Sequence, residues 1–291
     1  MSGVRNVVNA VEKGYNPSGP FFKRRSEVRR LRQQSLILFM MASATVGLAQ
    51  VRAPQATGPA LPTPRLADGT PNLGPIEPNK GYWVPKQYQD YVAVLKDTKE
   101  IPYQPWAKAL SDYRKSTSSK YDPQGYCLPP VGTRMMTTPY PMEILQMPQQ
   151  KRIVMIFEGG AHLWRVIYMD GRPHPTGDAL VPTWMGHSVG HWEKDTLVVD
   201  VVGFNEGSWI DMVGDPHTSQ FHLTERFTRT DLRTLHYEAT IDDPGAYTKP
   251  WSVQFDIAWD PNGEIQEYIC QENNRWQDSL MESQKKEAYG K

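Results

Sequence analysis

Trp251-Ser-Val-Gln-Phe-Asp-Ile-Ala-Trp259 is the stretch from which the fold is read. Trp251, Val253, Phe255, Ile257 and Trp259 are apolar, while Ser252, Gln254 and Asp256 between them are polar. In an extended chain successive side chains point to opposite faces, so this period of two marks a half-buried β-strand. Asp260-Pro-Asn-Gly263 supplies turn residues, and Glu264–Gln271 reads as the returning strand. The pattern recurs upstream. Arg152–Glu158 turns through Gly159-Gly160 into His162–Met169, His187–Glu193 turns at Lys194-Asp195 into Thr196–Val202, and Phe221–Arg229 turns at Thr230-Asp231 into Arg233–Ile241. With Glu143–Gln146 this makes eight or nine strands joined mainly by tight turns, an antiparallel meander. So long a meander must close or split into two sheets to protect its edges. The expected fold is mainly β, an antiparallel up-and-down, lipocalin-like barrel of eight or nine strands with a short helical N-terminal region. A β-sandwich is the alternative. About eight strands can enclose one small ligand.

Outward from the strands the organisation is simpler. Residues 86–142 hold short helices and a Pro-rich loop. In Pro105-Trp-Ala-Lys-Ala-Leu-Ser-Asp-Tyr-Arg114, a proline opens the turn, and Trp106, Leu110 and Tyr113 form an apolar stripe at helical spacing. Residues 50–85 are rich in Pro, Gly, Ala and Asn without periodicity and read as an extended arm rather than core. The barrel is expected over 143–275, and 276–291 is a polar tail. Residues 1–49 hold eight of the 32 Lys and Arg but only two of the 32 Asp and Glu. Their basic run precedes Leu36-Ile-Leu-Phe-Met-Met-Ala-Ser-Ala-Thr-Val-Gly-Leu-Ala49, a short apolar segment ending in small residues. That is the form of a cleavable secretory signal, and the run is short for a membrane span. Periplasmic or secreted localisation follows, with no stable membrane insertion after cleavage. The remaining chain is mildly acidic, so no nucleic-acid partner is expected. An oxidising compartment allows the only two cysteines, Cys127 and Cys270, to form a disulfide, with two free buried thiols as the alternative.

The chemistry-bearing residues gather in two stretches. Pro182-Thr-Trp-Met-Gly-His-Ser-Val-Gly-His-Trp-Glu193 contains His187 and His191. On a helix their spacing would suit a metal, but Gly186 and Gly190 disfavour a helix. On a strand the pair shares a face about 13 Å apart, too far to converge on one ion. No metal or other cofactor is expected. The second stretch, Gly203-Phe-Asn-Glu-Gly-Ser-Trp-Ile-Asp-Met-Val-Gly-Asp-Pro-His217, offers Asn205, Trp209, Asp211 and His217, with Asp200 in the preceding Val-rich strand. Asp200 is costly there unless paired, and beside an imidazole it would orient and strengthen the base. Asn205 is also an ordinary turn former, and the histidines could be structural. In Phe221-His-Leu-Thr-Glu-Arg-Phe227, His222, Thr224 and Arg226 alternate against Leu223, Glu225 and Phe227, so if Leu and Phe face inward Glu225 is inside with them and needs a partner such as Arg165. Trp164, Trp184 and Trp209 could wall a flat apolar pocket. P-loop and Gly-x-Gly-x-x-Gly motifs are missing, which disfavours a nucleotide enzyme or a nicotinamide-dependent oxidoreductase.

Leu66-Ala-Asp-Gly-Thr-Pro-Asn-Leu73, Cys127-Leu-Pro-Pro130, Met135-Met-Thr-Thr-Pro-Tyr-Pro141, Phe157-Glu-Gly-Gly-Ala-His-Leu-Trp-Arg165, Asp170-Gly-Arg-Pro-His-Pro175 and Gly190-His-Trp-Glu-Lys-Asp-Thr-Leu-Val-Val-Asp200 together resemble a large family of exported bacterial proteins of unassigned function. The resemblance spans roughly residues 66–275. It implies export and a β-rich body and carries no catalytic role. From the residues themselves, the expected function is a cofactor-free acid–base enzyme (isomerase, lyase or hydrolase) with a lumen pocket for a small hydrophobic or aromatic compound. His187 or His191 would be the base, Asp200 or Asp211 its orienter and Arg165 an electrophilic stabiliser; Trp164, Trp184, Trp209, Asn205, His217 and Glu225 would contact substrate. A non-catalytic periplasmic carrier and a structural envelope-associated module are the alternatives.

Overall fold

A computed structural model describes residues 60–76, 80–88, 90–272, 274–276 and 278–282. Residues 1–49, for which a signal is expected, lie outside them, as do residues 50–59 and 283–291. Nine strands close into one barrel: β1 (Tyr82–Val84), β2 (Met142–Met147), β3 (Arg152–Phe157), β4 (Leu163–Tyr168), β5 (His187–Glu193), β6 (Thr196–Val202), β7 (His222–Asp231), β8 (Thr234–Asp242) and β9 (Trp251–Asp260). Spatial order follows chain order, and β1 pairs with β9 to close the ring. Every neighbouring pair is antiparallel except β4 and β5, which are parallel. Parallel neighbours cannot be joined by a tight turn, so residues 169–186 form a crossover loop. This makes the barrel mixed rather than strictly up-and-down.

Two details differ from the sequence expectation. The ninth strand is the three-residue β1, whereas residues 264–271 are not a strand. That segment lacks alternation and instead crosses β3 and β4 on the outside, where Gln266 N–H donates to Glu158 at 2.8 Å. The barrel is accompanied by the helices α1 (Pro105–Ser116), α2 (Thr133–Thr137) and α3 (Gly159–His162). On α1 the buried residues are Ala107 and Ser111, while Trp106 and Tyr113 of the expected stripe are exposed. A close approach to the barrel end favours small residues there, and Ser111 donates a hydrogen bond to Asp215 at 2.6 Å.

The interior is filled with side chains. Leu223, Glu225 and Phe227 of β7, Tyr237 and Ala239 of β8, and Val253 and Ile257 of β9 point inward and are 0 % exposed. A cavity large enough for water would leave exposed surface on its lining, and these walls have none. Inside this dry core, Arg165 of β4 donates through Nη2 to Glu225 and through Nε to Ser188 at 2.9 Å. Tyr237 donates to the other Glu225 oxygen at 2.9 Å. Every one of these buried polar groups is therefore partnered within the core.

Both ends are stoppered. At one end the arm 60–76 lies across the opening, with Leu73 fully buried, so part of the expected linker is core. Arg229 pins it by donating to the carbonyls of Asn72 at 2.7 Å and Gly74 at 3.2 Å, with its guanidinium over the rings of Trp83 and Trp259. At the other end α1, α2 and the loop 203–221 pack together. Tyr91 and Thr133 both donate to the Ile210 carbonyl, and Arg134 grips Asp122 through two bonds of 2.8 and 2.6 Å. Cys127 and Cys270 form a disulfide between positions 143 apart in the sequence. It ties the loop before α2 to the segment after β9.

Candidate functional site

The alternation that turns Arg165 and Glu225 inward turns their neighbours outward. His187, Val189, His191 and Glu193 of β5 occupy the outer face, and so do Asp200 of β6 and His222 of β7. The expected lumen pocket is corrected accordingly: the imidazoles and carboxylates sit on the outer wall, while the inward positions of β5 are Ser188, Gly190 and the half-buried Trp192.

On that wall four side chains form a row. His222 Nε2 lies 2.5 Å from Asp200 Oδ1, and His174 Nε2 lies 3.5 Å from the same oxygen. His174 Nδ1 is 2.8 Å from His187 Nδ1. The crossover loop delivers His174, so the parallel strand pair is what brings it over the sheet. Proton placement follows from the partners. A carboxylate only accepts, so a proton is favourable on each nitrogen facing Asp200. A bare lone pair on the buried His174 Nε2 would instead face an anion. With its proton on Nε2, neutral His174 offers its Nδ1 lone pair, and His187 donates to it through Nδ1–H. That leaves the lone pair of His187 Nε2 as a base at the end of the row. Burial, reinforced by His174 and Arg172, lowers the His187 pKa, so the ring is neutral near pH 7.

Tyr168 stacks on His187 with ring centroids 5.3 Å apart, and the Arg172 guanidinium lies 3.9 Å from the Tyr168 centroid. Asp170 holds Arg172 at 2.6 Å, and that pairing lowers the Asp170 pKa to about 2. A base, a flat ring and a cation are thus adjacent. Arg165, expected as electrophilic stabiliser, is instead buried against Glu225, and the cation beside the row is Arg172. The crossover loop has no periodicity that could have signalled His174 or Arg172, although both lie in the quoted Asp170–Pro175 motif. His222 was legible as the outward residue opposite Leu223 but had no evident partner.

The other expected site residues are dispersed. His191 is exposed and contacts Glu193 at 3.3 Å, which also accepts from Arg226 at 2.7 Å. Trp164 is 65 % exposed on the outer wall, where it lies against Ile156, Leu163 and Ile265 in a shallow apolar groove. Trp184 packs against the core from outside. Asn205 closes a turn by accepting from Gly207 N–H at 2.8 Å. Trp209 is buried beneath Arg114, 4.4 Å from its ring.

Asp211 and Asp215 form a separate, buried pair at the helical end. Asp211 Oδ1 accepts from the backbone N–H groups of Val213, Gly214 and Asp215, and Asp215 Oδ1 accepts from Tyr103 and Ser111. The Oδ2 atom of each is buried without a hydrogen-bond partner among the described residues. Burial, and then the Asp215 charge, raise the Asp211 pKa well above the ordinary carboxylate value. Nearby, His217 Nε2 lies 2.7 Å from the Ser208 hydroxyl and Nδ1 lies 3.2 Å from the Thr218 carbonyl. Nδ1 therefore carries the proton and Nε2 accepts from Ser208. Serine beside imidazole is a nucleophile–base geometry, yet both residues are buried, which removes them from substrate. Asp211 is thus buried with its own backbone partners, away from the outer row, and His217 and Glu225 are buried as well. Among the described residues, no group of three or more His, Cys, Asp or Glu could hold a metal ion.

Fold and site together define the class: a side-chain-filled, nine-stranded barrel with an imidazole–carboxylate row on its outer wall. No family model, curated protein or solved structure matches the chain.

Proposed function

We propose that this chain is an exported barrel protein that carries out cofactor-free proton transfer on a small polar or anionic compound at its outer wall. His187 Nε2 is the base. His174 and Asp200 act as positioning residues that fix its tautomer, Tyr168 is the platform, and Arg172 attracts negative charge on the substrate. The observation that carries this reading is the contact chain His187–His174–Asp200–His222. A third group orienting the base is the arrangement that acid–base catalysis requires. Export and membership of the family that the motifs resemble belong to the same proposal, supported by the basic and apolar leader and by a disulfide, which persists in oxidising compartments. The packed interior favours one second reading, a structural envelope-associated module, and speaks against a carrier that uses the lumen.

An activated ester, p-nitrophenyl acetate, tests the base directly. Hydrolysis should rise along one acid limb whose midpoint lies below the ordinary histidine pKa of about 6.5, because burial depresses His187. Only the neutral ring acts, so the rate is lost as pH falls through that midpoint. His187→Ala should remove the limb and lower the rate roughly 100-fold, while His191→Ala should leave both unchanged. Equal rates for wild type and His187→Ala would end the proposal.

A further inference from the structure

We propose that a second ligand site, distinct from the His187 row, lies at the opposite end of β5 and takes a small aromatic or short-chain monocarboxylate. A cleft of about 210 Å³ opens between the arm, the β2–β3 hairpin and the end of β5. It is smaller than the roughly 300–1,000 Å³ of sites for drug-sized ligands, which limits the body of the ligand to about one ring. Its apolar lining includes Met147, Ile153, Met169 and Trp192, a flat indole flanked by adaptable thioethers. Trp192 lies five residues along β5 from His187, about 17 Å at strand rise.

Lys151 and Arg152 also line the cleft, and among the described residues neither cation has a carboxylate partner. Asp68 is the one acidic residue of the lining, so positive charge is in excess. Lys151 sits at a left-handed φ of 49°, which non-glycine residues adopt rarely. Its backbone is tied on both sides, donating to Pro148 O at 3.0 Å and accepting from Met169 N–H at 2.9 Å. The hairpin thereby presents two adjacent cations beside an apolar wall. A planar guanidinium matches a carboxylate through paired hydrogen bonds, and the wall accepts the attached ring.

The test uses the whole chain, isothermal titration calorimetry at low salt, and two isosteric probes, phenylacetate and phenylacetamide. Phenylacetate should bind at least tenfold more tightly than the neutral amide, the discrimination expected when charged hydrogen bonds are added. Lys151→Ala/Arg152→Ala should bring phenylacetate down to the affinity of the amide and leave the amide itself unchanged. Both residues are exposed, so this variant keeps the fold. Trp192→Ala should weaken both probes. Absence of phenylacetate binding, equal binding of acid and amide, or indifference to the double substitution would each overturn the proposal. None of these outcomes depends on ester hydrolysis at His187.

Discussion

Arg165 with Glu225, which meet inside the barrel from β4 and β7, and His222 with Asp200, on the adjacent strands β7 and β6, are two ionisable pairs on opposite faces of one sheet. The first faces the core and the second faces water. Glu225 is fully buried, and its oxygens are taken by Arg165 and Tyr237. Asp200 and His222 are each more than two-fifths exposed, and Asp200 also reaches His174. Position relative to the sheet therefore divides the labour. A desolvated pair cannot exchange protons with a ligand without stranding a charge, so it holds the barrel together. A solvated row stays within reach of a ligand, so it is the one left open to chemistry.

The sharpest way to break this contrast is to remove one partner from each pair. Glu225→Ala should lower unfolding stability by about 3–5 kcal/mol in denaturant titration, because Arg165 is left buried and unpaired. Replacing both residues together (Arg165→Met/Glu225→Leu) should restore most of the loss; failure to do so would mean the pair does more than neutralise itself. The next largest effect concerns Asp211. Its raised pKa means that the folded state holds the proton where the unfolded chain has released it. That contribution is full below about pH 4 and is lost as pH rises toward the folded value. Asp211→Asn should therefore gain about 1–3 kcal/mol at pH 8 and flatten the alkaline decline seen on melting wild type across pH 5–8. Smallest in stability is Asp200→Ala, at under about 1 kcal/mol. Its ester hydrolysis should nonetheless fall and its His187 resonance titrate differently by NMR. A large stability loss there would erase the distinction between the two pairs.

The barrel was legible because β7, β8 and β9 alternate strictly, each with one apolar face. β1 was not, since three residues cannot display a period. On β5 polarity pointed the wrong way: the face of His187, Val189, His191 and Glu193 read as the lining of a lumen, whereas it is the outer one and Ser188, Gly190 and Trp192 point in. The choice is steric. A Cβ on Gly190 would approach Ile167 and Met169 to 2.7 Å, and Ser188 must leave room for Arg165. Such constraints come from facing strands and leave no rhythm along the chain. For the same reason the pairing of Glu225 with Arg165 could be anticipated from polarity alone, whereas His174, carried in by an irregular loop, could not.

The arm that stoppers the barrel emerges from the ribosome before any strand of the sheet, yet its socket is Arg229, Trp83 and Trp259. The Arg229–Asn72 bond spans 157 positions, and β1 likewise waits for β9. Contacts so distant in sequence form late and slowly. The barrel consequently cannot be closed and stoppered until nearly all of the chain has been made.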